Sequence, residues 1–148
     1  MNLGEAFPEE LREDHASDCL EVGGVVRLYD VNAAKVKILV VVGVNHESNS
    51  IACCYINSEV NQNVNFTAEL KGLQHAISTA TYDFLSHDSY LDCSKITVHS
   101  KSDVLDQIRD NPSDCKGALL PADKTVVLSN LKRATTLSAF KKRPFGLA

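Results

Sequence analysis

Three β-rich segments follow one another along this chain, and the turns between them are too short to contain a helix. The segments cover residues 25–31, 37–42 and 51–56, and polar turns at 32–34 and 45–50 separate them. Turns this short join antiparallel neighbours, because a parallel connection needs about a dozen residues or more. The sequence therefore predicts an antiparallel sheet at the centre of the fold.

Polar side chains lie where the second segment begins and where the third segment ends. Lys35 and Lys37 lead into the second segment, and Asn57 and Ser58 close the third. In an antiparallel pair the start of one strand lies beside the end of the next, so we expect these four side chains to lie near one another. The two-residue period of a strand also places Lys35 and Lys37 on one face.

The composition is that of a single globular domain with a sizeable core. The chain has 148 residues, of which 44% are hydrophobic and 23% are charged. No apolar run approaches the ~20 residues of a membrane span, so no membrane contact is expected. The N-terminus is acidic and lacks the basic and apolar regions of a secretory signal, which predicts a cytoplasmic protein.

Charge is unevenly distributed along the chain. The net charge of −4 argues against tight, non-specific binding of nucleic acid over the whole surface. Residues 1–24 carry seven acidic side chains and one arginine, whereas residues 95–148 carry ten basic and five acidic ones. A basic C-terminal third can serve an anionic ligand. We interpret residues 1–22 as an acidic leader, available as a partner-binding arm or an inhibitory strap, before one domain at 23–148.

The five cysteines indicate thiols rather than a metal site. An odd number without a secretion signal favours reduced cysteines. Cys53 and Cys54 are adjacent within a strand, so their side chains point to opposite faces and suit one metal ion poorly. The sequence contains no C-x-x-C motif. We therefore predict neither a metal ion nor another cofactor.

The second half of the chain predicts further strands and then helices. Residues 73–77 alternate as a strand does, although 68–77 also fits a helix. A strand at 90–98, a helix from Ser100 or Ser102 to 109, a connector at 116–120 and a helix at 122–140 after Pro121 follow. Strands before helices indicate the α+β class, as a compact antiparallel sheet or small barrel with C-terminal helices.

Three histidines and the Asp88-Ser89 pair are expected to have structural roles. We expect His75 to be half-buried with a hydrogen-bond partner. His46 and His87 lie in polar turns and are expected to be solvated, although either imidazole can act as an acid or a base. Asp88 and Ser89 are typical of a turn before a strand.

The order of these segments resembles the MazF/PemK family of toxin ribonucleases, from about residue 23 to about residue 137. The motifs that carry the resemblance are 24–30 (GVVRLYD), 37–41 (KILVV), 56–58 (INS), 88–96 (DSYLDCSKI) and 117–119 (GAL). This resemblance implies a small antiparallel SH3-like β-barrel, a fold shared with the CcdB gyrase poison. It also implies a cytoplasmic homodimer controlled by an antitoxin or another regulatory protein.

The resemblance further implies metal-independent cleavage of single-stranded RNA. In that reaction the ribose 2′-OH attacks the adjacent phosphate and leaves a cyclic phosphate, so the site needs an acid, a base and positive charge. The family's Arg on strand two and Thr or Ser at the end of strand three correspond here to Lys37 and Ser58. Lys35, Asn57 and Arg27 are the candidate substrate-binding residues. The alternative role for Arg27 is to pair, on the protein surface, with a side chain of a neighbouring strand.

Two other functions fit the same sequence. Lys37 replaces the family's Arg, Ile38 replaces its proline, and the loop between the first two strands is short. These departures favour a non-catalytic protein-interaction module on the same barrel, in a toxin–antitoxin or defence system. A barrel that binds nucleic acid without cleaving it is the third possibility, but the chain has no Trp and its aromatic residues are scattered.

Overall fold

The structure, a computed structural model, describes residues 9–31, 33–58 and 67–148 and mixes helices with an antiparallel sheet. The strands are β1 Gly24–Asp30, β2 Lys35–Asn45, β3 Ser50–Asn57, β4 Gln74–Ile77, β5 Ser89–Asp92, β6 Thr97–Ser100 and β7 Cys115–Ala118. The α-helices are α1 Glu9–Cys19, α2 Ala68–Gly72, α3 Lys101–Asp110, α4 Pro121–Arg133 and α5 Ala139–Lys142. Short 3₁₀ turns cover Pro112–Asp114 and Arg143–Phe145.

The sheet is antiparallel and curls into a half-barrel. Its strand order is β4-β5-β3-β2-β1-β7, and β6 pairs with the first half of β3. The central pairs are β1 with β2, where Val25 lies opposite Val40, and β2 with β3, where Leu39 lies opposite Tyr55. The three predicted strands at the start of the chain, and the α+β class, are therefore confirmed.

Both faces of the central strands are buried. Alternate side chains of β3 enter two separate apolar cores, so that Cys54 lies in the first core and Cys53 in the second, as predicted for adjacent strand residues. Helix α4 supplies Val127 and Leu131 to the first core. The two-sided burial accounts for the nearly continuous apolar runs of β2 and β3, because neither strand has a solvent-facing side over most of its length.

Helices α1 and α3 cover the second core. Ala16 from α1 is fully buried there, beside Val104 and Ile108 from α3. Cys19 at the end of α1 forms a disulfide with Cys115 of β7. The prediction that all five cysteines are reduced is therefore wrong for this pair, because the fold brings together two residues that lie 96 positions apart in sequence.

The predicted strand at 90–98 is in fact two strands separated by a turn. Asp92 ends β5, and its carboxylate accepts hydrogen bonds from the backbone N–H of Ser94, at 2.9 Å, and from the Ser94 hydroxyl. This side-chain turn competes with the sheet hydrogen bonds and ends the strand. The chain pairs again only at β6. The predicted connector at 116–120 also contains a strand, β7, whose Gly117 has a φ of 127°.

The last helix is shorter than predicted. Helix α4 begins at Pro121 as expected but ends at Arg133, and Ser138 then caps a separate helix, α5. Lys142 of α5 is buried, and its Nζ donates to the carbonyl of Lys132 at 2.9 Å. A carbonyl of the last turn of α4, left without a helical partner, is thereby satisfied by the next helix, which favours the break.

The segment 68–77 is divided between a helix and a strand. Thr67 caps α2 by accepting a hydrogen bond from the N–H of Leu70, and β4 follows directly. The Asn-rich composition of residues 60–70 predicts a loop; positions 60–66 of this range lie outside the described residues, and 68–70 form part of α2. Position 32 of the predicted turn at 32–34 also lies outside the described residues. Within the described ranges, no helix is long and apolar enough to cross a membrane.

The Cys19–Cys115 disulfide should stabilise the attachment of α1 to the sheet. Cross-links across a long loop restrict the unfolded chain, so reduction should lower the free energy of unfolding by about 2–4 kcal/mol. Urea unfolding with and without a phosphine reductant measures the difference. The double variant Cys19→Ser, Cys115→Ser is the control and should not respond to reductant. Equal unfolding midpoints for the oxidised and reduced native protein would contradict this prediction.

Candidate functional site

A polar site lies where β2 enters the sheet and β3 leaves it. The Nζ of Lys37 donates a hydrogen bond to Oδ1 of Asn57 at 2.7 Å, across the ends of the two strands. Lys35 precedes Lys37 by two residues on the same strand and lies close enough to influence its ionisation. The structure thus brings together three of the residues that the sequence predicts to be neighbours.

The ring of Tyr55 lies beneath two ammonium groups. Lys37 Nζ and Lys95 Nζ each lie 5.1 Å from the centroid of the Tyr55 ring, within the range of a cation–π interaction. Lys95 belongs to the turn between β5 and β6 and was not among the residues predicted from sequence. Its position depends on the pairing of β3 with both strands, for which the local sequence contains no signal.

The electrostatics of this cluster favour an anion. Burial lowers the pKa of Lys37, and the positive charges of Lys35 and Lys95 lower it further, against the opposing effect of Asp30 and Asp92. In the described part of the chain, none of the three lysines forms an ion pair with a carboxylate. Like charges held together without a direct ion pair attract an anionic ligand.

An open groove of about 270 Å³ runs beside the lysines. Its lining includes the apolar side chains of Ile38 and Ile56. The groove residues whose side chains carry an amine, a hydroxyl or an imidazole are Lys35, Lys37, Ser58, Ser86, His87 and Ser89. The predicted pair of Lys37 and Ser58 therefore lines one groove, although the hydrogen bond of Lys37 is made to Asn57. His87 reaches this groove from the loop before β5.

Arg27 lies outside this groove. Its guanidinium is half-exposed, and Nη1 lies 3.6 Å from the carboxylate of Asp114. Its backbone carbonyl accepts a hydrogen bond from Gln107 of α3. The structure therefore assigns Arg27 a surface ion pair, which was the alternative to substrate binding.

A buried carboxylate supports the Tyr55 ring from below. Asp30 is 1% exposed, and its Oδ2 accepts hydrogen bonds from the Tyr55 hydroxyl and from the N–H of Ala33. Within the described residues its Oδ1 has no partner. Burial, together with the hydrogen bond to Asp30, raises the pKa of Tyr55. The hydroxyl therefore remains protonated at neutral pH and fixes the ring that contacts Lys37.

The buried thiols are poor candidates for catalysis or metal binding. Burial raises the pKa of Cys53 and of Cys93 to about 12 and also raises the pKa of Cys54, so the reactive thiolate is scarce near neutral pH. Among the described residues, no three His, Cys, Asp or Glu side chains form a group that could hold a metal ion.

A separate polar network attaches α4 to the sheet. His75 Nε2 lies 2.8 Å from Oδ1 of Asp123, and the Tyr82 hydroxyl donates to Oδ2 of the same carboxylate. Tyr82 also accepts a hydrogen bond from the N–H of Leu120, immediately before α4. The prediction that His75 is half-buried with a hydrogen-bond partner is confirmed. The network lies outside the lysine groove and has a structural role.

The chain matches no protein-family model, and no curated protein matches it. We therefore infer the function of the protein from the geometry of this groove.

Replacing Lys95 should change the ionisation of Lys37. The variant Lys95→Ala removes a positive charge from the Tyr55 ring, so the pKa of Lys37 should rise toward its ordinary value. Titration of ¹³C-labelled lysine side chains by NMR measures the shift. Lys116→Ala, a β7 substitution outside the groove, should leave Lys37 unchanged. An unaltered Lys37 titration in Lys95→Ala would contradict the electrostatic coupling.

Replacing Asp123 should destabilise the attachment of α4. Burial raises the pKa of Asp123, but hydrogen bonds from Tyr82 and His75 outweigh burial and lower it. A lowered pKa stabilises the fold above the unfolded pKa of about 3.9, and this stabilisation is lost as pH falls through the folded pKa. Asp123→Asn should therefore cost about 1–3 kcal/mol at pH 7.

Urea unfolding of both proteins across the acid range tests this expectation. The difference in unfolding free energy between the native protein and Asp123→Asn should have its largest value at neutral pH. It should shrink as pH falls below about 4. Asp83→Asn is the matched control, because Asp83 is an exposed residue of a turn next to Tyr82. A difference that does not depend on pH would show that ionisation of Asp123 contributes nothing to stability.

Proposed function

We propose that this protein is a toxin-like endoribonuclease that cleaves single-stranded RNA without a metal ion. The observation that carries the proposal is the group of three lysines, Lys35, Lys37 and Lys95, gathered at one end of the sheet without a carboxylate ion pair in the described residues. A phosphodiester supplies the missing negative charge. The half-barrel is proposed to be an SH3-like barrel, in keeping with the family resemblance of the sequence.

The groove fits one unstacked strand of nucleic acid better than a duplex. The apolar side chains of Ile38 and Ile56 in its lining offer a surface to a base that has left its stack. The lysines at its rim offer charge to the backbone beside that base. Ribose specificity follows from the reaction, since only RNA carries the 2′-OH that attacks the phosphate.

Lys37 is the proposed acid of the reaction. Its lowered pKa makes its ammonium a better proton donor than an ordinary lysine, and its hydrogen bond to Asn57 orients it. Lys35 and Lys95 stabilise the negative charge that develops on the phosphorane. Ser58, which lines the same groove, donates a hydrogen bond to a non-bridging phosphate oxygen. The product is a 2′,3′-cyclic phosphate and a free 5′-hydroxyl.

Regulation by an antitoxin or another protein, assembly as a homodimer and action in the cytoplasm belong to the same proposal.

A non-catalytic interaction module is the second candidate, and a specific observation favours it. A second groove of about 550 Å³, lined by Ile96, Val98 and Phe145, lies beside Phe140, which is 83% exposed. Exposed apolar surface of this kind is typical of protein interaction sites.

Incubation of the protein with a mixed-sequence single-stranded RNA in EDTA tests cleavage. Lys37→Ala should slow cleavage by about 10²–10⁴-fold, because it removes the proton donor. Lys35→Ala and Lys95→Ala should weaken binding and flatten the slope of log affinity against log salt by about 0.7 each. Binding is measured on a 2′-O-methyl analogue, which cannot be cleaved.

Lys116→Ala is the matched control because it removes a lysine outside the groove. Circular dichroism verifies that each variant is folded. If the native protein binds the analogue with the expected salt dependence but cleaves no RNA, the nuclease proposal is overturned and a binding module remains. If Lys116→Ala weakens binding as much as Lys35→Ala does, the lysine group is not the binding site.

A further inference from the structure

We infer that His87 is the general base of the cleavage reaction, an inference that rests on the proposed ribonuclease function. His87 lines the same groove as Lys37 and Ser58, and it belongs to the loop before β5. Its side chain is exposed, and in the described part of the chain its imidazole makes no hydrogen bond or ion pair. The ring is therefore available to a ligand.

The backbone at His87 and directly after it is held in place. The hydroxyl of Ser89 donates to the carbonyl of His87 at 2.7 Å, and Ser89 is itself 5% exposed. The carboxylate of Asp88 accepts hydrogen bonds from the N–H and the hydroxyl of Thr79 at 2.9 and 3.2 Å. These contacts hold the loop while the imidazole keeps its freedom to rotate toward a substrate.

The other described groove residues cannot easily accept the proton. Lysine is ordinarily protonated at neutral pH, and the other polar side chains of the groove, Ser58, Ser86 and Ser89, are hydroxyls that are far too weakly basic. None of the described lining residues is a carboxylate. Imidazole is the side chain whose ordinary titration lies nearest to neutrality, so it suits general-base catalysis at physiological pH.

The proposed step conserves protons and electrons. The imidazole of His87 takes the proton of the ribose 2′-OH, and the 2′-oxygen forms a bond to phosphorus. The bond from phosphorus to the 5′-oxygen breaks, and the ammonium of Lys37 donates its proton to that oxygen. His87 ends protonated and Lys37 ends neutral, and exchange with water restores both. The two groups come from different elements, the loop before β5 and strand β2, which line one groove.

Among the described residues, Lys35 and Lys37 of β2 line the same groove as His87, and Asp88 follows it on its own loop. Cleavage that uses both a base and an acid should depend on pH as a bell. His87→Ala should slow cleavage by about 10²–10⁴-fold.

The experiment compares an ordinary RNA dinucleotide step with one whose leaving 5′-oxygen is replaced by sulfur. A thiolate leaves without protonation, so the sulfur substrate needs no general acid but still needs a base. Lys37→Ala should recover near-native rates on the sulfur substrate, whereas His87→Ala should remain slow on both substrates. Added imidazole should partly restore His87→Ala. His46→Ala is the matched control, because His46 lies in the β2–β3 turn and contacts Lys101.

The outcomes separate this inference from the function on which it rests. Native cleavage with an inactive Lys37→Ala and a fully active His87→Ala overturns the role of His87 and leaves the ribonuclease intact. Recovery of His87→Ala on the sulfur substrate shows that His87 is an acid rather than the base and also overturns the inference. Absence of native cleavage on either substrate, with the 2′-O-methyl analogue still bound, overturns the ribonuclease function and the role of His87 together.

Discussion

Strands β2 and β3 are buried on both faces, and the rest of the chain must therefore cover both faces of the sheet. Alternate residues such as Cys53 and Cys54 enter different apolar cores, so each face of the sheet needs its own cover. Helix α4 and the C-terminal residues cover one face, and α1 and α3 cover the other. The disulfide from Cys19 to Cys115 then attaches the N-terminal helix to an edge strand of the sheet it covers.

The candidate site lies where this burial ends. At the start of β2 and the end of β3 the side chains become polar, and Lys37 reaches across to Asn57. Buried support continues directly below, since Asp30 and Tyr55 hold an aromatic ring under two lysine ammonium groups. The site therefore combines a buried support with an open groove. In the described residues the lysines above this support lie close together and form no ion pair with a carboxylate, an arrangement that attracts a phosphate group.

The fold was predictable from sequence to the extent that local patterns decide it. The three early strands, the cap at Ser100 and the start of α4 at Pro121 follow from alternation, capping and the geometry of proline. The break in the strand near Asp92 and the end of α4 at Arg133 were missed. In the first case a side chain competes with a sheet partner, and in the second a buried lysine from another helix satisfies the helix end. Neither effect has a periodic signature.

The sequence by itself determined that the chain forms an antiparallel sheet and that Lys35, Lys37 and Asn57 meet at its end, because alternation and short turns are local properties of the backbone. Only the tertiary structure decided that Lys95 joins these lysines over Tyr55, that His87 lines the groove and that Cys19 meets Cys115. These contacts join residues that are far apart in sequence. They exist because the curl of the sheet and the covering of its two faces bring distant turns together.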